Sequence, residues 1–292
     1  MTQNSPPASD PIARTRRLCD ALRPARLTRL VDIGANPINP APYDALLEHG
    51  LLDVVAFEPH PQAFEEIQAH PKKNQTVYPY AIGDGTRQTL NVHRYSGFTS
   101  LLPFNPEVVT LLGCWDALLE PIDTPKIDTH RLDDLPDIGP IDMLKIDIQG
   151  AEQQVFQHGA QILGQAQVVM SEVAAIPLYV GQPLLDDQMR SLRQIGFDLH
   201  KFVHFQTMPI GSEALGALAK WRSRNQLTDG DAVFVNGLLA LAAKDSEALK
   251  HLALLADAVF DSPDLTLRIL QILAARADVA PDVAADYAQI LG

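Results

Sequence analysis

Cysteine is almost missing from this chain: two residues in 292, Cys19 and Cys114, far apart and in no metal-ligand spacing. That excludes a disulfide framework and offers no zinc-type centre, so no dedicated metal site is expected, and divalent metal assistance is left only to the carboxylates Asp147 and Glu172. Basic residues are in the minority, with 23 lysines and arginines against 36 aspartates and glutamates, for a net charge of −13. A nucleic-acid surface takes its affinity from Lys and Arg on phosphates, so this balance speaks against a nucleic-acid partner. The one basic run, Arg14, Arg16, Arg17, Arg23, Arg26 and Arg29, reads as the solvated face of a first helix whose apolar side is Leu18, Leu22 and Leu27. Long apolar runs are absent as well: nothing approaches the roughly eighteen residues that span a bilayer. The opening MTQNSPPASDPIAR holds no apolar core of a signal peptide. No membrane partner is expected, and the expected location is cytoplasmic.

What is present is a core. Apolar residues make up 46% of the chain, enough for one large domain or one domain with an appendage. Residues 1–12 are rich in Pro, Ser and Asn and are expected to be disordered. Residues 13–237 alternate apolar β-like runs with helical segments. The pattern predicts strands at 28–34, 52–58, 75–82, 141–148, 167–173, 197–205 and 231–236, and helices at 41–49, 60–69, 151–163, 184–195 and 212–225. Runs such as 53–57 and 167–170 are apolar on both faces, as strands covered by helices on both sides must be. This predicts a doubly wound α/β sheet. FDLHKFVHFQ alternates as an edge strand does, and the short apolar DAVFVN suits insertion between edge and centre. Residues 85–139 form an insertion, with a small strand at 88–94 and a helix near 106–119, at the sheet edge where ligands bind; it is a candidate substrate lid. Residues 238–292 are Ala- and Leu-rich helix, expected to pack on the main domain or on a twin subunit, so a homodimer is a plausible partner.

Glycine is scarce where a dinucleotide site needs it. The first strand and its loop run Leu30-Val31-Asp32-Ile33-Gly34-Ala35-Asn36, then Pro37, Pro40 and Pro42. A dinucleotide loop wants G-x-G-x-x-G with backbone N–H groups aimed at a pyrophosphate, and three prolines remove three such donors. NAD is therefore disfavoured. Asp32 stands where the strand emerges, Gly34 lets the backbone approach a ligand, and Asn36 donates to a carboxylate or holds the turn. The second strand ends at Glu58-Pro59. Glu58 either accepts from a ribose diol or caps the next helix, and the ribose role is favoured. Acids closing two neighbouring strands suit the amino-acid end and the ribose of S-adenosylmethionine (SAM), which has no phosphate to cradle. In Ala81-Ile82-Gly83-Asp84-Gly85, Ile82 would face an adenine and Asp84 its amino group, unless this is only a turn. The fourth strand, Met143-Leu144-Lys145-Ile146-Asp147-Ile148-Gln149-Gly150, puts Lys145, Asp147 and Gln149 on one face. Two charges in a buried strand need partners, which marks either a site or a structural ion pair.

VDIGAN, FEPHP, AIGDG, the Ser96-Gly97-x-x-Ser100-Leu101 segment, HRLDDL, LKIDIQGAE with HGA behind it, and SEV follow one another from about residue 28 to 237. The ordered set resembles the FkbM family of SAM-dependent methyltransferases. The resemblance implies a class I methyltransferase fold: a doubly wound, mostly parallel seven-stranded sheet with an antiparallel last strand. It implies methyl transfer from SAM to a hydroxyl of a sugar or secondary metabolite. It would place Asp32, Gly34 and Asn36 around the methionine part, Glu58 on the ribose, Asp84 by the adenine, and Asp147 near the sulfonium and the acceptor. Two positions depart from the family pattern: Pro37-Ile38-Asn39-Pro40 stands where another glycine is usual, and Gln149 where Glu is usual.

On this reading an acceptor oxygen attacks the SAM methyl in line, and the protein supplies alignment and proton removal. Asp147 is the first choice for base or orienting group, with Lys145 tuning it; Glu172, ending the fifth strand, is a second carboxylate for the same cleft. His93 and His130 are alternative bases. The expected partner is a small-molecule or glycan acceptor. The alternative is a non-catalytic methyltransferase-like protein that makes protein contacts through its helical tail.

Overall fold

The computed structural model describes residues 10–38, 40–116, 119–135 and 138–291, without the side chain at position 220. Among the described residues ten strands fall in two sheets: β1 (Thr28–Ile33), β2 (Leu52–Phe57), β3 (Gln75–Tyr78), β4 (Ala81–Ile82), β5 (Arg87–Thr89), β6 (Lys126–His130), β7 (Met143–Ile146), β8 (Val168–Ala174), β9 (Phe197–Met208) and β10 (Gln226–Asn236). The helices are α1 (Pro11–Leu22), α2 (Asp44–Glu48), α3 (Pro61–Ala69), α4 (Pro106–Leu112), α5 (Glu152–His158), α6 (Ala160–Leu163), α7 (Leu185–Gln194), α8 (Ser246–Ala258), α9 (Pro263–Ala275) and α10 (Val283–Leu291).

The main sheet has seven strands in the order β3-β2-β1-β7-β8-β10-β9. Neighbours from β3 to β8 run parallel, while β10 slots between β8 and β9 antiparallel to both. One face packs Leu30, Met143, Val168 and Val233 against α1 and the C-terminal helices, through Leu18, Leu22, Leu252, Leu255, Ile269 and Tyr287. The other packs Val31, Leu144, Val169 and Phe234 against Val155, Phe156 and Leu192 of α5 and α7. Burial on both faces explains why these strands read as continuous apolar runs. The segment after residue 237 is thus part of one wall of the sheet, and its apolar stripe is covered by the core.

Several predicted elements come out differently. Residues 1–9 of the expected disordered stretch lie outside the described residues, and α1 begins inside it, with the Asp10 side chain accepting from Ile12 N. The arginines do not form one solvated helical face. Arg26 and Arg29 lie beyond α1 and clamp Asp142 (2.6 and 2.9 Å) and Asp53 (2.8 Å), while Arg14 holds the buried Asp257 at 2.7 Å. The expected strand 75–82 is two, because Pro79 lacks the N–H that would carry the ladder on; β4 joins a second sheet ordered β4-β6-β5. The expected helix 151–163 breaks at Gly159, where a Cβ would lie 2.8 Å from Val155 O and 3.0 Å from Leu132. No helix spans 212–225: two short 3-10 turns, Leu215–Ala217 and Lys220–Arg222, join β9 to β10, and Leu218 and Trp221 find no core and stay exposed.

In the insertion, the helix ends at a left-handed Gly113, and residues 117–118 lie outside the described residues. The small strand is β5, followed by isolated bridges at Asn91 and Val92. Phe104, Val108, Val109 and Leu112 form a third core with Leu178 and Tyr179 from the loop after β8.

Candidate active site

The carboxyl ends of β1, β2 and β7 open into a cavity of about 880 Å3. Its size falls within the range of small-molecule and cofactor sites. Asp32, Gly34 and Asn36 line it from β1 and its loop, Glu58 and His60 from the end of β2, Tyr80 and Ile82 from β4 and its approach. Lys145, Asp147 and Gln149 line it from β7, Ser96 and Ser100 from the insertion, and Asp231 from β10. The three prolines after Asn36 also face it, while Asn39 lies outside the described residues.

Asp32 is 2% exposed and fully engaged. Tyr43 OH donates to Oδ2 at 2.5 Å, and Lys145 Nζ donates to Oδ1 at 3.0 Å. The parallel register sets Asp32 directly beside Lys145, which explains the pairing. Burial pulls the Lys145 ammonium down, but Asp32 and Asp147 outweigh it and the pKa lies above the ordinary lysine value. Lys145 is therefore hydrogen-bonded to Asp32, and Asp147 acts on it through charge.

Glu58 is equally deep, 4% exposed, with much less support. The one hydrogen bond to its carboxylate among the described residues comes from His60 N, at 2.8 Å to Oε1. Burial pushes its pKa up to about 7, the His60 amide opposes, and the charge of Asp32 pushes further. Beside it an aromatic series runs Phe57, Tyr78, Tyr80 and His130, with successive ring centroids 5.6, 5.5 and 4.6 Å apart.

Gly34 sits at φ +84°, and a Cβ there would lie 2.0 Å from the carbonyl oxygen of Asp147. The close approach that requires glycine is to the end of β7; it brings the loop after β1 against the Asp147 end of the cavity.

At that end Gln149 Nε2 donates to Asp147 Oδ1 at 2.8 Å and to Glu172 at 3.0 and 3.1 Å; Glu172, expected in the same cleft, is not among the residues that line the cavity and lies behind Gln149. Burial raises the Glu172 pKa well above the ordinary range, reinforced by Asp147, Glu152, Asp229 and Asp231. Glu152 is 1% exposed and receives Ile148 N and Gly150 N, both at 3.0 Å, so it ties the β7–α5 loop to its own helix start. Burial lifts it to about 7 against those backbone bonds.

Asp84 is not brought to the cavity. Its carboxylate accepts from Thr86 (2.7 and 2.8 Å) and Gln88 (2.8 Å), and these bonds, the Thr86 hydroxyl first, lower its pKa to about 2. The plain-turn alternative describes these bonds, and the adenine role expected of Asp84 finds no support in the cavity lining. His93 and His130 do not line the cavity: His93 is buried edge-on to Phe104, with ring centroids 5.1 Å apart, and His130 stacks on Tyr80. The sequence reading missed Tyr43, His60, Tyr80, Tyr179 and Asp231. Only Asp231 carried a signal, as an acid opening an otherwise apolar strand.

Residues 32–199, more than half of the chain, match the methyltransferase FkbM domain family, and the chain belongs to that family. No curated protein matches the sequence. Among solved structures, the chain is similar to a Thermoplasma acidophilum protein assigned as a methyltransferase, at 9% identity and TM-score 0.38, covering 72% of this chain and 68% of that one. It is similar to the precorrin-6y C5,15-methyltransferase of Geobacter metallireducens GS-15, at 13% and 0.34, covering 76% and 87%. It is also similar to TYW2 of M. jannaschii, solved in complex with AdoMet, at 13% and 0.30, covering 77% and 75%.

The chain is a methyltransferase of the FkbM family, and SAM is the expected methyl donor. The residues present fit that group: a buried carboxylate with a single hydrogen bond at one end, a compensated acid in the middle, and ionisable groups at the other. Among the described residues no group of three or more His, Cys, Asp or Glu is placed to hold a metal ion, and no helix is long and apolar enough to cross a membrane.

Proposed function

We propose that this protein transfers the methyl group of SAM to a hydroxyl of a small-molecule or glycan acceptor. The observation that carries the reading is the order of groups along one cavity, Glu58 after β2, Asp32 on β1 and Asp147 after β7, with Glu172 on β8 behind the lining and linked to Asp147 through Gln149. Glu58 would take the ribose diol, because a buried carboxylate with one donor gains most from two hydroxyl donors. Tyr80 and Ile82 would flank the adenine, and Gly34 and Asn36 the methionine part, with Asp32 as the fixed charge beneath. SAM supplies an activated methyl on a sulfonium. Asp147 would orient the acceptor hydroxyl and receive its proton, with Glu172 beside it. Ser96, Thr99 and Ser100 of the 85–139 insertion line the same cavity, which supports the insertion as the acceptor-facing lid.

The test is isothermal titration with SAM and S-adenosylhomocysteine (SAH) on the wild type, Asp32→Ala and Glu58→Ala, followed by labelled-methyl transfer to panels of sugars and hydroxylated metabolites. Micromolar binding lost in both variants is the expected result. A wild type that binds neither compound would overturn the reading.

A further inference from the structure

Gln149 occupies a conformation that side-chain-bearing residues rarely adopt, φ +58°, directly before Gly150 at φ +103°. It is held there from three sides. Its Nε2 bridges Asp147 and Glu172; its Oε1 accepts from Tyr179 OH at 2.7 Å; its carbonyl accepts from Ser100 Oγ at 2.6 Å. Both partners belong to the lid side. Ser100 also receives Leu102 N at 3.0 Å, and Tyr179 is 1% exposed with its ring 4.7 Å from Phe104. Backbone bonds from Asn105 N to Leu178 O and from Val180 N to Pro103 O lock the Tyr179 loop to the insertion. Turning the amide over would set its oxygen against two carboxylates and its NH2 against the Tyr179 hydroxyl, so the orientation is fixed.

We propose that Gln149 is a positioning residue whose amide holds the carboxylates of Asp147 and Glu172 side by side, and that Ser100 and Tyr179 make this hold depend on the packed lid. The inference rests on the methyltransferase reading for what the two carboxylates do, but not for how they are held. An amide suits the place because it supplies two donors without a charge. A third carboxylate would repel both neighbours, and an apolar side chain would leave them facing each other in a poorly solvated pocket. Other titratable groups act on the pair: Lys145 on β7, Glu152 on α5, Asp229 and Asp231 on β10, and Tyr179, with Asp32 on β1 facing Lys145 and His204 on β9 facing Asp229 and Asp231. Lys145, the lysine among them, is engaged by Asp32. That leaves the Gln149 amide as the neutral donor between the two acids, and the upward push of burial and like charge on Glu172 is what it opposes.

The test follows the Glu172 carboxyl by carbon NMR over a pH series in the full-length wild type, Gln149→Met, Tyr179→Phe and the double variant. Gln149→Met is expected to raise the Glu172 midpoint by about one pH unit, a tenfold change in its proton affinity. Tyr179→Phe, which only frees the amide to turn, is expected to move it the same way by less. The double variant should match Gln149→Met alone, because Tyr179 acts through the glutamine. An unmoved midpoint in Gln149→Met, or additive shifts in the double variant, would overturn the inference. If Gln149→Met does not fold, Tyr179→Phe decides by itself through the direction of its shift. SAH titration of the same samples separates the two readings. Failure of the wild type to bind SAH overturns the methyltransferase reading, while the carboxyl titration still decides the role of Gln149.

Discussion

Asp32 and Glu58 stand at the ends of neighbouring strands, lie almost equally deep, and differ in how many donors meet them. Asp32 receives a phenol and an ammonium before any ligand arrives; Glu58 receives one backbone amide, and burial lifts its pKa to about 7. The first is a scaffold charge whose partners are built into β7 and α2. The second is short of donors, and a ligand that brings hydroxyls to it gains what the fold left out. Burial alone does not separate a structural acid from a binding acid, whereas the count of donors does.

The comparison breaks most severely if Asp32 is made to resemble Glu58. Lys145→Met removes the ammonium and leaves a carboxylate at 2% exposure with Tyr43 as its one strong donor. Breaking a buried pair in this way costs about 3–5 kcal/mol. Urea unfolding of the two proteins at neutral pH measures it, and a loss under about 1 kcal/mol would mean that the cavity solvates Asp32 and that Lys145 is not its counterion.

Glu58 sharpens the contrast through pH. Its folded pKa, about 7, lies above its unfolded value of 4.5, so its contribution to stability is fully present below about 4.5 and is lost as pH rises through 7. The two values differ by about 2.5 units, or about 3 kcal/mol between pH 4.5 and 8. Glu58→Gln should flatten that part of the stability curve in urea unfolding at the two pH values; parallel curves would refute the raised pKa. Because the ribose selects the ionised carboxylate, wild-type SAH affinity should also rise about tenfold from pH 6 to 8 and level off above it.

The sheet could be read from the sequence because strands buried on both faces write their burial into every residue, as in 52–57 and 168–174. Asp32, Glu58 and Asp147 stood out for the related reason that an acid ending an apolar run has few structural excuses. What stayed hidden depends on pairings across the fold. Tyr43 finds Asp32, and Tyr179 finds Gln149, over sequence distances at which nothing local marks a partner. The connection 212–225 misled because Leu215, Leu218 and Trp221 look helical in spacing, yet no surface of the sheet is left for them. Asp84 misled for a subtler reason: a turn that feeds a ligand edge and one that closes on itself share the same Gly-Asp-Gly, and only the positions of Thr86, Gln88 and Thr129 tell them apart.

Asp84 therefore supplies the smallest effect and the control for the pair. Its carboxylate is satisfied by its own turn, and its depressed pKa, about 2, means that its contribution to stability is present above pH 3.8 and fades only as pH falls through 2. Asp84→Asn should change SAH affinity by less than about threefold at neutral pH, the range of a surface substitution that touches no ligand. Glu58→Gln, which withdraws the charge from two ribose bonds, should weaken it roughly 100-fold in the same titration. The ratio of the two losses is the useful number. Near-equal losses would mean that the 83–86 turn swings onto the adenine when the cofactor binds, and that donor count in the free protein is a poor guide to which acids wait for a ligand. A ratio of thirty or more would establish that guide for this fold, with Asp32 and Glu58 as its two poles.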